Sequence, residues 1–439
     1  MSEDATLDEF VQEKSEENSG SEWDELKLED LLSELLTGGR PTGGGLDEGE
    51  YISIGGTQVN SEGYIDFHDL VYIPEDYFER VKETQLQKHD ILVVKDGANT
   101  GDVAIAWESD DRIVTNEHLF TLRADSSINS PYLFYFLLSH RGWKQINGTI
   151  TGSAQEGINR GFTGKVDVQY PQLSEQRKIA TVLYTVDRAI EKTEEIIEQT
   201  EKIGRGLRQS LFTEGYYEHE TEQYGTLGEV PVSWEKTRLY KIADVARGKF
   251  THRPRNDPEF YDGEYPFIQT GEVVEAVGEL TDFSQTLNEK GRGVSKEFAP
   301  GTIIITIAGN IGDTAVAAFP VYVPDSLVGI TPDEETDERF LEHFLRYRQA
   351  FLNRLSTKTT QKNLNLTLLR PIEVVKPPLD EQKEIADTLS TVDDQIKKEK
   401  EYKNHLQRLK RGLMQDLLSG TVRTTDTNIE VPEEIAKYG

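Results

Sequence analysis

Between residues 171 and 212 the chain reads PQLSEQRKIATVLYTVDRAIEKTEEIIEQTEKIGRGLRQSLF, with Ile179, Leu183, Val186, Ile190, Ile197, Leu207 and Leu211 on an alternating three- and four-residue spacing. Thr193, Thr200 and Gly204 fill the weaker places of the stripe. That pattern is the seam of a coiled-coil helix. The same stretch recurs without gaps at residues 377 to 418, where Ile385, Leu389, Val392 and Ile396 keep the stripe and Glu399 and Lys403 take the next two places. Leu406, Leu413 and Leu417 resume it beside Tyr402 and Leu409, so this second stripe drifts around its helix. About 40 residues rising 1.5 Å each make a rod of about 60 Å. A rod with one apolar seam and no partner is marginal in water. The expected partner is the other copy, laid antiparallel about a pseudo-two-fold axis, so that whatever precedes each rod is carried at opposite ends of a spacer.

Ahead of each rod the pattern changes to short period-two runs broken by glycine. The first half predicts strands at YISIGGTQV (51 to 59), DILVVKDG (90 to 97), VAIAW, HLFTLRA (118 to 124) and VDVQYP, with helices near IPEDYFERV and at 131 to 141. LKLEDLLSELL after Trp23 reads as a short amphipathic helix or a strand plus helix. The second half replays this order from Trp234, through YPFIQTGEV (265 to 273) and GTIIITIAGNIGDTAVAAF (301 to 319), to the helix ERFLEHFLRYRQAF. The expected organisation is a disordered acidic tail (1 to 20), a first α+β domain (21 to 170), a central long helix (171 to 215) and a linker (216 to 224). A second α+β domain (225 to 376), a C-terminal long helix (377 to 420) and a tail (421 to 439) complete it.

Composition narrows the function. The chain has no cysteine, which excludes disulfides, thiolate nucleophiles and Cys-ligated zinc, and its eight histidines are scattered without metal-ligand spacing. No apolar run reaches membrane-spanning length and the N-terminus is acidic, so a soluble cytoplasmic protein is expected. The net charge of −31 is unusual for a nucleic-acid binder. Thirteen carboxylates face only Lys14 and Lys27 in the first 36 residues, whereas the rods are close to neutral. Such a surface resembles proteins of salt-rich cytoplasm, where a Debye length of about 3 Å in molar salt leaves DNA contacts at van der Waals range intact.

No catalytic constellation is present. The glycines of Gly97-Ala-Asn-Thr-Gly101-Asp102 and Gly309-Asn-Ile-Gly312-Asp313 are followed by strands, not by the helix of a phosphate loop, and hairpin turns account for both. Lys376-Pro-Pro-Leu379 lacks the amide and ring that an adenine methyltransferase places around its prolines. The polar loops before the rods are richer in chemistry. Ser153, Gln155, Asn159 and Arg160 in the first half, and Lys358, Thr359, Gln361, Lys362 and Asn363 in the second, carry amides and hydroxyls suited to base edges. Thr57 and Gln58, and Gln269 and Thr270, are the corresponding candidates beside the earlier strands. Cations come from Arg40 in a glycine-rich loop and from Arg247, Lys249, His252, Arg253 and Arg255, with Arg346, Arg348 and Arg354 on the following helix. Solvated surface loops would look similar singly; recurrence at equivalent places favours binding.

The order of a variable domain, a rod beginning P-x-L-x-E-Q-x-x-I-A, a linker with G-E-V-P-x-x-W, a second variable domain and a second rod resembles the specificity subunit of type I restriction-modification systems. The matching residues are Pro171, Leu173, Glu175, Gln176, Ile179 and Ala180, and again Pro377, Leu379, Glu381, Gln382, Ile385 and Ala386, with Gly228, Val230, Pro231 and Trp234 between them. The resemblance covers nearly the whole chain. It implies a non-catalytic subunit with two target-recognition domains, each reading half of a bipartite, asymmetric site in double-stranded DNA, held apart by antiparallel helices. It further implies two methyltransferase subunits carrying S-adenosylmethionine and a restriction and translocase subunit using ATP and magnesium, with no cofactor on this chain. The alternative is a helical scaffold or relic that binds partner subunits and has lost DNA. If the acidity is an adaptation to salt, thermal melting followed by circular dichroism should shift upward with added potassium chloride; a melting temperature indifferent to salt removes that reading.

Overall fold

In the first domain a strand buried on both faces sorts the core into two layers. The computed structural model describes residues 23–40, 44–152, 157–356 and 363–436. Its first strands are β1 (Asp24–Lys27), β2 (Leu32–Leu36), β3 (Tyr51–Ile54) and β4 (Val71–Ile73), followed by helix α1 (Glu75–Val81). Then come β5 (Ile91–Val94), β6 (Val103–Ile105), β7 (Ile113–Thr115), β8 (Leu119–Ala124), α2 (Ser130–Leu138), α3 (His140–Asn147), β9 (Asp167–Tyr170) and the long α4 (Leu173–Thr213). The central sheet has the order β2-β8-β5-β6, a smaller sheet β4-β3-β7, and β1 pairs with β9. All four residues of β5 are buried. Alternation sends Ile91 and Val93 into one core with α2 and the start of α4, and Leu92 and Val94 into the other with Ile54 and Ile113.

Two expectations change here. The LKLEDLLSELL stretch is strand, a single 3-10 turn over Leu28–Leu31, and strand again, because Leu28 and Leu31 both turn into the core from that turn. The helix expected over 131 to 141 is two helices. Asn129 caps α2, accepting from the Tyr132 N–H at 3.2 Å. Extended Ser139 ends that helix and its Oγ accepts from the Gly142 N–H at 3.3 Å to start α3. Gly142 lies so close that a Cβ would stand 2.2 Å from the Phe136 carbonyl oxygen.

The second unit repeats this plan with insertions. A hairpin of β10 (Thr221–Tyr224) and β11 (Gly228–Pro231) leads to β12 (Glu235–Arg238), α5 (Leu239–Ile242), β13 (Ala243–Arg247), β14 (Tyr261–Phe267), α6 (Thr270–Glu275), β15 (Glu279–Leu280) and β16 (Gln285–Leu287). There follow α7 (Glu289–Val294), β17 (Lys296–Phe298), β18 (Ile303–Thr306), β19 (Thr314–Ala317), β20 (Val321–Val323) and β21 (Leu327–Pro332). Helices α8 (Glu338–Tyr347), α9 (Gln349–Ser356) and α10 (Leu366–Leu369), strand β22 (Glu373–Lys376) and the long α11 (Leu379–Leu418) end the repeat. Sheet β13-β21-β18-β19-β15 matches β2-β8-β5-β6, sheet β16-β14-β20-β17 matches β4-β3-β7, and β12 with β22 matches β1 with β9.

At the head of each long helix the Glu-Gln pair is buried. Gln176 donates to the Pro171 carbonyl at 2.8 Å and accepts from the Asn129 N–H at 2.8 Å. Gln382 does the same with Pro377, at 2.8 Å, and Asp337, at 2.9 Å. Each glutamine therefore ties its long helix to the cap of the domain helix before it. The glutamates differ. Glu381 accepts from Trp234 Nε1 at 2.9 Å and the Tyr216 N–H at 3.1 Å and is bonded to His219 Nε2 at 2.8 Å. Glu175 accepts from Arg423 Nε at 2.8 Å and the Thr424 N–H at 3.1 Å.

That last contact corrects the expected C-terminal tail. Residues 421 to 436 pack onto the first domain: Lys178 donates to the carbonyls of Thr424, Thr425 and Thr427, Asn129 donates to the Ile435 carbonyl at 2.9 Å, and Ile435, within the short α12 (Glu433–Ala436), is fully buried. Glu430-Val431-Pro432 repeats Glu229-Val230-Pro231, and Ile435 stands where Trp234 stands in the second unit.

The contacts divide the chain into one unit of residues 1–190 with 405–439 and a second of 191–404. In each, the two long helices run antiparallel. In the first, Val186, Ile190 and Leu406 form an apolar cluster and Lys410 reaches buried Asp187 at 2.7 Å. In the second, Gly204 lies against Val392, Glu194 pairs with Lys403 at 2.7 Å, and Arg208 approaches Asp393 at 3.5 Å. The leading seam residues serve the domains as well: Ile179 and Leu183 belong to the first core, Ile385 and Leu389 to the second. Also in the second unit, Arg346 bridges buried Glu342, at 2.6 Å, and Asp393, at 2.8 Å. His343 lies beside both carboxylates. Burial, then the Arg346 charge, holds its imidazole neutral well below the usual histidine range. Glu342 and Asp393 form a buried ion-pair network with Arg346 and Arg208, and the neutral His343 packs against it.

Glu175→Ala should lower stability by about 1–3 kcal/mol, because it removes the acceptor of the Arg423 guanidinium and leaves the buried Thr424 N–H without its carboxylate, read as a lower melting temperature. His89 gives a pH test. Burial, aided by Lys88, pushes its imidazole down to about 4. Protons then bind the unfolded chain more tightly than the folded one, so stability is unaffected above the unfolded value of about 6.5 and is lost as pH falls from there towards 4, by about 2 kcal/mol at pH 5. His89→Asn, which suits the left-handed φ of 66° at this position, should flatten denaturant midpoints measured between pH 7.5 and 5.

Candidate nucleic-acid interface

The loops at one end of the central sheet carry the polar candidates of each domain. In the first domain the Gly38 N–H donates to Asn116 and the Asn116 N–H to Ile54, which places the loop after β2 beside the β3 and β7 ends. Asn99 Nδ2 donates to the carbonyls of Gly56 and Val59 at 3.1 and 3.0 Å, fixing the β5–β6 turn against the same loop. That turn requires left-handed backbone at Gly97 (φ 100°) and Gly101 (φ 92°), as its spacing implies. The Ile158 N–H donates to Lys95, so the loop before β9 joins the cluster.

Within it the expected residues take different roles. Arg40 is 80% exposed, 3.7 Å from Glu117, and Thr57 is exposed. Gln58 is not available to bases: it is buried, its Oε1 accepting from the Gly55 N–H at 3.0 Å and the Thr57 hydroxyl at 3.1 Å, and its role is to pin the loop. Asn159 uses its Oδ1 to cap the following 3-10 turn and Arg160 donates to the Leu35 carbonyl; both remain on the surface. Ser153 and Gln155 lie outside the described residues. Sequence reasoning missed His118, which bonds Asp96 and stands 3.4 Å from Glu117, and Lys95, whose ammonium lies over the Phe120 ring.

The second domain repeats the cluster with more charge. The Gly248 and Lys249 N–H groups donate to Leu327 and Val323, the Ile268 N–H to Tyr322, and the Leu364 N–H to Ile307, gathering four loops. Gly309 and Gly312 are left-handed, like their counterparts. Arg247, Lys249, Arg253 and Arg255 are exposed. Three of these converge on one residue: Arg247 Nε donates to the Asp325 carbonyl at 2.6 Å, Arg253 lies 3.3 Å from its carboxylate, and Arg255 pairs with it directly. His252 turns inward, stacking on Phe260 at 4.1 Å and bonding Asp257 at 3.1 Å. The Glu259 N–H, and then His252 against some burial, hold the Asp257 carboxyl below its usual range. Gln269 is exposed and donates to Gln285 at 2.6 Å, and Thr270 begins α6. Asn363 is half-buried, while Lys358, Thr359, Gln361 and Lys362 lie outside the described residues. Arg346 and Arg348 are not surface cations: the first is locked between Glu342 and Asp393, the second is buried and donates to the Thr226 carbonyl at 2.6 Å.

A surface of exposed guanidinium groups, amides and backbone N–H groups on loops, set on rigid sheets, suits phosphate and base-edge contacts. Among the described residues no helix is long and apolar enough to cross a membrane.

Known proteins resemble the chain over most of its length. A family model, the type I restriction modification DNA specificity domain, matches twice, at residues 20–202 and 231–408. The MjaX type I restriction enzyme specificity subunit of Methanocaldococcus jannaschii is 27% identical over 410 residues, 92% of this chain and 94% of that protein. The EcoKI specificity subunit of Escherichia coli K12 is 22% identical over 397 residues, 85% and 83% of the two chains. The S subunit of a type I system from M. genitalium shares the fold, with a TM-score of 0.59 at 16% identity over 92% of this chain and 97% of that one. The chain belongs to the type I restriction-modification specificity subunits, as a non-catalytic protein with two DNA specificity domains.

Proposed function

We propose that each domain reads one half of a split DNA site and that the long helices set the number of untouched base pairs between the halves. The observation that carries this is the recurrence of one loop cluster on two copies of one fold, with different side chains on each. Arg40, Thr57 and Asn159 stand on the first; Arg247, Lys249, Arg253, Arg255 and Gln269 stand on the second. Equal scaffolds with unequal faces imply an asymmetric, bipartite target. Arginines and lysines would position each domain on phosphates, while amides and hydroxyls read base edges. Helices α4 and α11, 41 and 40 residues long, suit this role because a paired helix resists shortening except by whole turns.

The subunit works in an assembly with other restriction-modification subunits. In our reading two methyltransferase subunits dock along the long helices and bring S-adenosylmethionine, and a restriction and translocase subunit brings ATP and magnesium, in the cytoplasm. Exposed apolar side chains on the helices support docking there: Ile196, Ile203 and Tyr402 in the second unit and Leu409 in the first.

Methylome sequencing of the host should reveal a split methylated motif that disappears when this gene is deleted. Removing matching heptads from α4 and α11, which keeps both seams in phase, shortens each helix by about 10 Å. The expected motif keeps both half-sites and loses about three base pairs of spacer. A change in half-site sequence, with the spacer intact, contradicts the arrangement.

A further inference from the structure

In both domains a carboxylate stands among the cations of the loop cluster, at the same place in the repeat. Glu117 lies between β7 and β8, and Asp325 between β20 and β21, 208 residues later. Glu117 is 3.7 Å from Arg40 and 3.4 Å from His118 Nε2. Asp325 binds Arg253 and Arg255 through its carboxylate and Arg247 through its carbonyl. Its side chain is one-third exposed and those of Arg253 and Arg255 about half exposed, so the pairs stand at the rim where a phosphate would approach. A carboxylate presents two anionic oxygens to a guanidinium in the same fork geometry as a phosphate.

We propose that Asp325, and Glu117 in the first domain, occupy the phosphate-binding arginines until DNA displaces them, and so attenuate the affinity of each domain for DNA. This rests on the reading that the loop cluster meets DNA. Contact with any duplex requires the arginines to leave Asp325, which exposes a carboxylate to the phosphates. At a random sequence the phosphates alone replace that pair, with little net gain. At the cognate half-site, base contacts add to them. The carboxylate therefore weakens binding to every duplex by a similar factor, which leaves random sequence too weakly held to retain the subunit while the cognate half-site, with its base contacts, still binds. A salt bridge at this exposure is weak on its own. Its effect is felt because the protein must break it each time it touches DNA.

The test uses the full chain in complex with its methyltransferase subunits and fluorescence anisotropy with two duplexes, one of random sequence and one carrying the motif from the methylome. Asp325→Asn should tighten random-duplex binding about tenfold at about 0.1 M salt and steepen the logarithmic salt slope by about one, since no carboxylate is left to gather a cation when the arginines move. Cognate binding should gain by a similar factor, and Asp325→Glu should keep the wild-type affinity for both duplexes. Glu117→Gln gives an independent reading in the first domain if the second-domain variant misfolds. Unchanged or weaker random-duplex binding in both neutral variants overturns the proposal. Arg253→Ala together with Arg255→Ala separates the two levels: weakened binding to both duplexes supports the DNA face, whereas no change removes the face itself.

Discussion

The arrangement of each half depends on one buried amide. Gln176 in the first unit and Gln382 in the second each bond the carbonyl of the proline that precedes the long helix and the backbone N–H of the residue capping the domain helix. Both are almost completely buried, so neither has water as a substitute partner. An amide deprived of a partner in such a place costs about 1–3 kcal/mol, and satisfying both bonds fixes the angle at which the rod leaves its domain. Ile179 and Leu183, or Ile385 and Leu389, then bury their side chains in the domain core. The rod is thereby a continuation of the domain it follows, and its direction is decided by the domain rather than by the opposite helix.

The electrostatics follow a different logic from that of a basic DNA-binding protein. Negative charge is spread over the chain, yet the loop ends keep arginines. Several of the most prominent cations are engaged with carboxylates, either deeply, as with Arg346 between Glu342 and Asp393, or at the rim, as with Arg253 and Arg255 on Asp325. Depth separates their roles. A buried guanidinium between two carboxylates holds a helix in register and is lost to solvent chemistry, whereas one at the surface exchanges partners freely.

Much of the fold was legible because periodicity survives any loop variation. The seam of the long helices, the wholly apolar β5 and the three isoleucines of β18 were marked by residue type alone, and the glycine turns by the need for left-handed backbone. The Glu-Gln motif was visible as a pattern, but its partners, Asn129, Asp337, Trp234 and Arg423, are distant in sequence and carry no local sign of the contact. The loops were half legible. Gln58 has the right chemistry for a base edge, yet its amide oxygen accepts from the Gly55 N–H and closes on its own turn. Glu117 and Asp325 gave no contrast in a chain so rich in acids, and only their equivalent places between corresponding strands mark them. The docking of the C-terminal segment was written in Glu430-Val431-Pro432, a fragment too short to weigh until Ile435 was seen where Trp234 would be.

That docking sets an order of assembly during synthesis. The second unit is assembled from one unbroken stretch of chain, whereas the first closes its core with Met414, Leu417, Leu418 and Ile435. The bond from Asn129 to Ile435 spans 306 residues. Closing so long a loop delays native packing. On the ribosome the domain made first is therefore completed last, and its apolar floor waits uncovered while the other half folds.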